Sequence, residues 1–288
     1  MIEVKKDILK NIYKERTEEE VKKYDYGLLI VIGGSDFYSG SPALSSLAAF
    51  RAGADMVRII APKRAADIIA SFSPILAAYP LEGKWLEKNH LATLVGMTEA
   101  AKVSAKGKVS VVIGGGIGRS DETQDVILEY LEQINVPVVI DADAIHAISK
   151  KPEVIKGKNF LITPNTYEFF VLTKREIYKL PIDEKIKAIQ EESGKIGATI
   201  LQKGGIDIIS NGKELAISQG GSPYMTKGGM GDTLAGVCGA LLARGVNVFE
   251  AACAASYINK KAGEAAVKKL RDGVTAKDLI EKIPEVLY

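Results

Sequence analysis

Short apolar segments that end in glycine or polar turns recur along the chain and alternate with helical patterns. They are YGLLIVIGG (26–34), ADMVRIIA (54–61), VSVVIGGG (109–116), VPVVIDAD (136–143), NFLITPN (159–165) and ATILQKGG (198–205). Nearly continuous apolar runs of this length are typical of strands that are buried on both faces. Helical patterns lie between them, for example over 41–53, 121–134 and 182–197. The alternation predicts a single α/β domain over residues 1–288, with a mainly parallel sheet.

The alternation of strands and helices does not extend to the last third of the chain or to its first 24 residues. IDIIS and ELAIS flank Asn211-Gly212, which is typical of a hairpin turn. Segments 231–245, 248–270 and 275–283 are predicted helices, and their many small residues favour close packing. Residues 1–24 are rich in charge and poor in apolar side chains, which predicts a solvated helical arm. We expect no further fused domain, because the arm is too short to form one.

Composition excludes several classes of function. The 38 Lys and Arg residues nearly balance the 36 Asp and Glu residues, unlike the strongly basic surface of a nucleic-acid-binding protein. The chain has two His and two Cys residues, which excludes a multi-histidine metal centre and favours buried, reduced thiols. The N-terminus lacks the apolar core of a signal peptide, and no stretch approaches the length of a membrane span. We therefore expect a cytoplasmic protein with neither nucleic-acid nor membrane partners.

Five of the predicted strands end in turns suited to ligand binding. The turns are Gly33-Gly34-Ser35, Gly114-Gly115-Gly116, Asp141-Ala142-Asp143, Thr163-Pro164-Asn165 and Lys203-Gly204-Gly205. In an open parallel sheet, ligands bind outside the carboxyl ends of the strands. We therefore expect these turns to gather at one edge of the sheet.

The strongest functional signal is GGMGDTLAG (228–236). Its glycines lead into a helix predicted to begin at Gly231, so that backbone N–H groups and the positive helix end face an anion. Asp232, in the first turn, either complements the helix dipole or serves as a base in phosphoryl transfer. In the second case Gly229 and Gly231 form the anion hole. The helix dipole also predicts a low pKa for Asp232.

Two common nucleotide motifs are excluded. The chain contains no G-x-x-x-x-G-K-[ST] segment, so it is not a P-loop enzyme. IGGGIGRS (113–120) lacks the final glycine spacing of the dinucleotide fingerprint, which argues against a dehydrogenase.

Several segments together resemble the ADP-dependent NAD(P)H-hydrate dehydratase family, from about residue 25 to the C-terminus. They are 34–59, IGGGIG (113–118), VIDADAIHAI (139–148), LITPNTYEF (161–169), LQKGG (201–205), 220–236 and 272–287. The resemblance implies a ribokinase-like three-layer sandwich, with helices on both faces of a mainly parallel sheet. It also implies that the hydrate of NADH or NADPH is phosphorylated by ADP and then loses phosphate, yielding the reduced coenzyme and AMP.

The resemblance assigns roles to individual residues. Asp232 resembles the base that activates the hydroxyl of the hydrate, Gly229 and Gly231 resemble the anion hole, and Gly231 is also placed near the nucleotide phosphate. The nucleotide-binding turn matches Lys203, Gly204 and Gly205. The contacts to the hydrate match Ser41, Gly116, Asn165 and Asp232. The resemblance implies that ADP is the phosphoryl donor and that it binds together with Mg²⁺.

Some positions depart from the family pattern. Gly114-Gly115-Gly116 replaces a glycine–proline–glycine turn, and Ser41 replaces an alanine. Asn165 and Asn259 stand where histidines are common. Because Asn hydrogen-bonds but carries no proton at neutral pH, we expect Asn165 to hold the substrate without proton transfer.

Other interpretations remain open at this point. Asp141 and Asp143 either orient substrate or bind Mg²⁺ through water, unless Asp143 simply begins a helix. Glu168 is expected to be an acid in a first helical turn, and Tyr38 either covers a ligand ring or packs a loop. An ATP-dependent kinase for a thiazole, pyrimidine or pyridoxal-like alcohol would share this machinery. A nucleotide-binding regulatory protein that has lost catalysis is a third interpretation, which Asn165 suggests and the presence of Asp232 opposes. We expect the protein to assemble as a homo-oligomer, tetrameric or larger. The resemblance also implies an epimerase as a separate protein.

Overall fold

The predicted apolar runs form buried strands of one sheet in the computed structural model, which describes residues 1–14 and 21–288. The strands in that part are β1 (Ile2–Glu3), β2 (Leu28–Ile32), β3 (Met56–Pro62), β4 (Ala77–Leu81), β5 (Val109–Ile113), β6 (Val138–Ile140), β7 (Phe160–Ile162), β8 (Thr199–Gln202), β9 (Asp207–Ser210) and β10 (Leu215–Ser218). Their order across the sheet is β1-β10-β9-β8-β7-β6-β5-β2-β3-β4. Only the β8–β9 and β9–β10 pairs among them are antiparallel, so the mainly parallel sheet is confirmed.

Helices cover both faces of the sheet, as strands that are apolar on both sides require. In β2, Leu29 and Val31 face one hydrophobic cluster, whereas Leu28, Ile30 and Ile32 face the other. The first cluster contains buried side chains from α1 (Gly40–Arg51), α2 (Lys63–Phe72), α8 (Met230–Ala243), α9 (Val248–Leu270) and α10 (Ala276–Val286). The second includes α3 (Leu91–Ser104), α4 (Asp121–Gln133), α5 (Asp143–Ile148), α6 (Thr166–Thr173) and α7 (Ile182–Ile196). The predicted three-layer arrangement is therefore confirmed.

The N-terminal segment differs from the predicted helical arm. Strand β1 pairs in parallel with β10, and a single 3-10 turn follows over Lys6–Leu9. Leu9 and Tyr13 are buried, and the Tyr13 hydroxyl donates a hydrogen bond to the Ala52 carbonyl oxygen at 2.8 Å. The predicted helical arm is wrong for residues 1–14, because pairing with the free edge of β10 holds Ile2–Glu3 extended and the residues after it form only a 3-10 turn and further turns packed through buried side chains. Its part over residues 15–20 lies outside the described residues.

Other features of the fold follow the sequence more closely. The β9–β10 hairpin turns at Asn211-Gly212, where Gly212 has a φ of +87°. Both cysteines are buried and free, as predicted.

Residues 62–108, to which the sequence analysis assigned no elements, contain α2, β4 and α3. Within the part of the chain that the structure describes, none of the helices has both the length and the apolar character that crossing a bilayer requires.

Helix α8 approaches α1 and the sheet closely because glycines face them. A Cβ atom on Gly236 would overlap the backbone carbonyl of Ser45 in α1. A Cβ atom on Gly239 would lie 2.6 Å from Val112 Cγ2 and 2.8 Å from Leu29 Cδ1 of the sheet. The small residues predicted to allow close packing therefore do so, and they bring the start of α8 to the carboxyl edge of the sheet.

Two helical glycines provide a test of this packing. We expect Gly236→Ala to lower the free energy of unfolding by roughly 1–3 kcal/mol, because the added methyl group overpacks the α1–α8 contact. Gly96 in α3 has open space around its Cα, so Gly96→Ala is expected to raise that free energy by about 0.5–1 kcal/mol through helix propensity. Urea denaturation of both variants measures the difference, and equal effects would contradict the tight contact.

Candidate active site

The polar turns at the carboxyl ends of the strands lie together at one edge of the sheet, as predicted. The Gly34 N–H donates to the Gly115 carbonyl oxygen at 2.9 Å, which joins the turns after β2 and β5. The Thr163 hydroxyl donates to the Asp141 carboxylate at 2.7 Å, which joins the turns after β7 and β6. The Lys203 ammonium group, after β8, donates to the same Asp141 oxygen at 2.7 Å.

Asp232 lies in the first turn of α8, and α1 holds it in place. The Ser41 hydroxyl donates a hydrogen bond to the Asp232 carboxylate. The Ser45 hydroxyl, one helical turn later, donates to the backbone carbonyl of Asp232 at 3.0 Å. A Cβ atom on Gly115 would overlap Ser41 Oγ and lie 3.1 Å from Asp232 Oδ1. The structure thus brings together Ser41 and Asp232, and it adds Gly115, to which the sequence analysis gave no binding role.

The ionisation of Asp232 differs from the expectation based on the helix dipole. Burial raises the pKa of Asp232 to about 6, although the Ser41 hydrogen bond and Lys203 oppose the shift. Asp141 and Glu168 raise it further by repulsion. The predicted low pKa is wrong, because removing the carboxylate from water disfavours its charge more than the helix start favours it. A base with this pKa accepts a proton near neutral pH more readily than an exposed carboxylate does.

Lys203 links Asp232 to the turn that was predicted to bind the nucleotide. Its Nζ lies 2.7 Å from Asp141 Oδ1 and 3.8 Å from Glu168 Oε2. Burial lowers the pKa of Lys203, but the two carboxylates outweigh it and hold the pKa above its ordinary value. A Cβ atom on Gly231 would lie 3.3 Å from Lys203 Nζ. The ammonium group therefore lies against the start of α8.

A cavity of about 800 Å³ opens beside the start of α8. Five predicted site residues line it: Asn165, Lys203, Gly204, Gly205 and Gly231. The other lining residues are Asp207, Gly220, Gly221, Ser222, Pro223, Met225, Thr226, Lys227, Gly228, Met230, Leu234, Asn259 and Lys260. The volume falls in the range of roughly 300–1,000 Å³ typical of ligand sites. The N–H groups of the helix start and the nearby ammonium group suit an anionic ligand.

Four predicted site residues lie outside the lining of this cavity: Ser41 and Asp232, whose contacts are given above, and the glycines Gly116 and Gly229. Gly229 precedes α8 with a φ of +90°, and a Cβ atom there would lie 2.7 Å from Leu44 Cδ1. Gly116 has a φ of +64°, and a Cβ atom there would lie 2.6 Å from the Tyr38 ring. Backbone shape and packing therefore already require glycine at both positions. Their roles in the anion hole and in substrate contact stay predictions.

Asn165 has a structural role in addition to lining the cavity. Its side chain accepts a hydrogen bond from the Glu168 N–H at 2.9 Å, and the Glu168 carboxylate accepts one from the Asn165 N–H at 2.8 Å. This capping box begins α6. Glu168 is thus an acid in a first helical turn, as predicted, and burial raises its pKa.

Two charged residues that line the cavity, Asp207 and Lys260, escaped the sequence analysis, which noted Asn259 only as a departure from the family pattern. The Lys260 Nζ lies 3.3 Å from Asp207 Oδ1, and both side chains are buried. Burial raises the pKa of Asp207, against the effect of Lys260. Asn259 accepts a hydrogen bond from the Thr233 hydroxyl at 2.7 Å and so ties α9 to α8. Because Asn259 and Lys260 stand among small apolar residues of a predicted helix, the local pattern indicates only a buried face.

The two carboxylates considered as Mg²⁺ ligands are engaged elsewhere. Asp141 accepts from Thr163 and Lys203, as described above. Asp143 begins α5 and accepts from the Gly118 N–H at 3.0 Å and from Arg119 Nε at 2.6 Å. Among residues 1–14 and 21–288, no three His, Cys, Asp or Glu side chains are grouped to hold a metal ion. The described side chains therefore do not form a Mg²⁺ cage.

The architecture and the position of the site define the class of protein. A solved ADP/ATP-dependent NAD(P)H-hydrate dehydratase from Bacillus subtilis, co-crystallised with ATP and Mg²⁺, has a similar fold. The TM-score is 0.80 at 20% identity, and the match covers 99% of this chain and 97% of that chain. The chain therefore has the ribokinase-like fold that the resemblance implied, with the 800 Å³ cavity at the carboxyl edge of the sheet.

The chain belongs to the NAD(P)H-hydrate dehydratase family, whose model matches residues 29–285. It is 34% identical over 285 residues to the ADP-dependent (S)-NAD(P)H-hydrate dehydratase of Cenarchaeum symbiosum, covering 98% of this chain and 94% of that protein. It is 38% identical over 268 residues to the bifunctional NAD(P)H-hydrate repair enzyme of Pyrobaculum aerophilum, covering 92% of this chain and 51% of that protein. The chain thus spans about half the length of its bifunctional relatives.

Ser41 and Ser45, two serines of α1 that contact Asp232, provide a matched test of its environment. We expect Ser41→Ala to raise the pKa of Asp232 above its value of about 6, because the lost hydroxyl stabilises the ionised carboxylate. Ser45→Ala should leave that pKa unchanged, since the Ser45 hydroxyl binds the backbone carbonyl. Carbon-13 NMR titration of the aspartate carboxyl groups measures both. Equal pKa values in the two variants would contradict the assigned contact.

Proposed function

We propose that this protein is an ADP-dependent hydro-lyase that returns the hydrate of NADH or NADPH to the reduced coenzyme, releasing AMP and phosphate. Membership of the family supports the class of substrate. The observation that carries the mechanism is the buried Asp232 carboxylate, held by Ser41 in the first turn of a helix whose start faces the cavity. This arrangement provides a base and anion-binding N–H groups within one turn of helix.

In this proposal ADP occupies the 800 Å³ cavity. The Gly204-Gly205 turn contacts the nucleotide, and its phosphates face the N–H groups at the start of α8. Gly231 has no side chain to separate a phosphate oxygen from the helix backbone. Lys203 adds positive charge at this end of the cavity.

The first chemical step is phosphorylation of the hydroxyl group of the hydrate. Asp232 accepts the hydroxyl proton while the hydroxyl oxygen attacks the terminal phosphorus of ADP. The bond from that phosphorus to the bridging oxygen breaks, and AMP leaves with the electron pair. The anion hole assigned to Gly229 and Gly231 stabilises the charge that develops on the transferred group.

The second step is elimination. The bond between the ring carbon and the phosphate oxygen breaks and phosphate leaves with that electron pair. The neighbouring carbon gives a proton to the departing phosphate, and the electron pair of the broken C–H bond forms the double bond. The new double bond restores the reduced nicotinamide ring. We assign Ser41, Gly116 and Asn165 to holding the ring, with Asn165 acting through hydrogen bonds alone.

Mg²⁺ is proposed to accompany ADP, held by phosphate oxygens and water rather than by the described side chains. When bound, it supplies charge neutralisation on the phosphates. We further propose that residues 1–288 act as one catalytic domain in a cytoplasmic homo-oligomer, tetrameric or larger. A separate epimerase would supply the reactive form of the hydrate.

Binding of ADP to the native protein is expected to raise its thermal stability. A ligand at about 100 times its Kd adds about 2.7 kcal/mol when it binds only the folded state. Gly231→Val should abolish this effect, because a branched side chain blocks the approach of phosphate to the backbone. Gly96→Ala, outside the cavity, is the control that keeps it. Thermal melts with and without ADP measure the shift, and a normal response of Gly231→Val would refute the placement of the nucleotide.

Asp232→Asn tests the base. We expect turnover of the hydrate to fall about a hundredfold or more, the scale of losing a positioned base. The fold and ADP binding should survive, because Asn keeps the shape of the side chain. The absorbance of the regenerated nicotinamide measures turnover, and calorimetry measures ADP binding.

The same base predicts the pH dependence of the wild-type protein. Asp232 must be ionised to accept a proton, so activity should fall as the pH drops through about 6, the pKa of Asp232.

Near-normal turnover of a stable Asp232→Asn variant would remove this residue from the mechanism. Turnover with ATP and a thiazole, pyrimidine or pyridoxal-like alcohol, but not with the hydrate, would instead establish the kinase alternative.

A further inference from the structure

We infer that Lys260 is a positioning residue for ADP, whose ammonium group holds together two loops of the nucleotide cavity. The inference rests on the proposed binding of ADP in that cavity. Lys260 lies in α9 and is 5% exposed. Its Nζ donates to the carbonyl oxygens of Gly204 at 3.0 Å, Gly205 at 3.1 Å and Gly220 at 3.2 Å. All four residues line the cavity.

Asp207 balances the buried charge of Lys260. Its carboxylate lies 3.3 Å from Lys260 Nζ and also accepts from the Gly204 N–H at 2.9 Å and the Ser256 hydroxyl at 2.6 Å. A buried ammonium group is costly unless its donors and its charge are satisfied. The three carbonyls and the carboxylate meet both needs. The ammonium group is therefore committed to the protein, and it acts on ADP through the loops.

One helical turn further along α9, Glu264 also holds the second loop, at Gly221. Its carboxylate accepts a hydrogen bond from the Gly221 N–H at 2.8 Å. Gly220 and Gly221 have φ values of +107° and +84°, so this dipeptide adopts a backbone shape that few other residues share. Helix α9 thus fixes the Gly220 carbonyl through Lys260 and the Gly221 N–H through Glu264.

The geometry separates the binding of ADP from the chemical step. Lys260 and Glu264 hold the walls of the cavity, whereas the proposed base, Asp232, is held by Ser41 from α1. Loops that are already ordered lose less entropy when the ligand binds. Loss of their anchors should therefore weaken ADP binding and leave the rate of the bound complex nearly unchanged.

The test compares Lys260→Met and Glu264→Ala with the wild-type protein. We expect both the Kd and the KM for ADP to rise, by about tenfold for Lys260→Met, the scale of one hydrogen bond to a charged group. A smaller rise is expected for Glu264→Ala, while kcat at saturating ADP changes little in both. Calorimetry gives the Kd without requiring turnover. If Lys260→Met fails to fold, Glu264→Ala, at a partly exposed position, decides.

Two control variants on the same helix separate positioning from general effects. Lys269→Met removes an exposed lysine from the last turn of α9, and Ile258→Val lowers the thermal stability by removing one methyl group from the buried face. Both should bind ADP as the wild-type protein does. Wild-type ADP affinity in Lys260→Met and Glu264→Ala would overturn this inference alone. A loss of kcat at unchanged ADP affinity would also overturn it, whereas a wild-type protein that does not bind ADP would overturn the proposed function as well.

Discussion

The close contact of α8 with α1 and the sheet determines where each group of the candidate site lies. Gly236 rests on the backbone of Ser45, and Gly239 rests on side chains of the sheet. A methyl group at either position would force the helix outward, because packed interiors have little free volume. The first turn of α8 would then move away from α1. The contact between Asp232 and Ser41, and with it the ionisation of Asp232, therefore depends on glycines one to two turns further along the helix.

Burial of several charges at this edge explains how a carboxylate can serve as a base near neutral pH. Asp141, Glu168 and Asp232 surround Lys203, so the carboxylates repel one another while one ammonium group attracts them all. Desolvation and repulsion together bring the pKa of Asp232 to about 6. Asn165 carries no proton at this pH, although it stands where the family pattern has a histidine. In the proposed mechanism, proton acceptance therefore falls to Asp232, whose environment supplies the required basicity.

The sequence predicted the interior of the sheet well because its strands are buried on both faces. Strand β4 was missed because it is an edge strand with mostly exposed residues and a proline, and so has no continuous apolar run. The N-terminal segment was misassigned because its composition is that of a solvated helix. Its first strand, Ile2–Glu3, depends on pairing with β10, more than 200 residues away in the chain. The pKa of Asp232 was misjudged for a related reason, since burial comes from elements distant in sequence.

The sequence likewise predicted the parts of the site that are local motifs and missed the parts that depend on contacts between residues distant in the chain. The glycine-rich start of α8 and the Lys203–Gly205 turn are local motifs, and the structure places both at the cavity. Lys260 and Asp207 are separated by 53 positions, and neither stands in a pattern that indicates a buried ion pair. The chemical groups are thus carried by recognisable turns, whereas the shape of the cavity is held by side chains that only the fold brings together. The proposed anchors Lys260 and Glu264 lie on α9, whereas Asp232 and Ser41 lie on α8 and α1. The proposal therefore separates nucleotide affinity, which depends on α9, from the contact between Asp232 and Ser41.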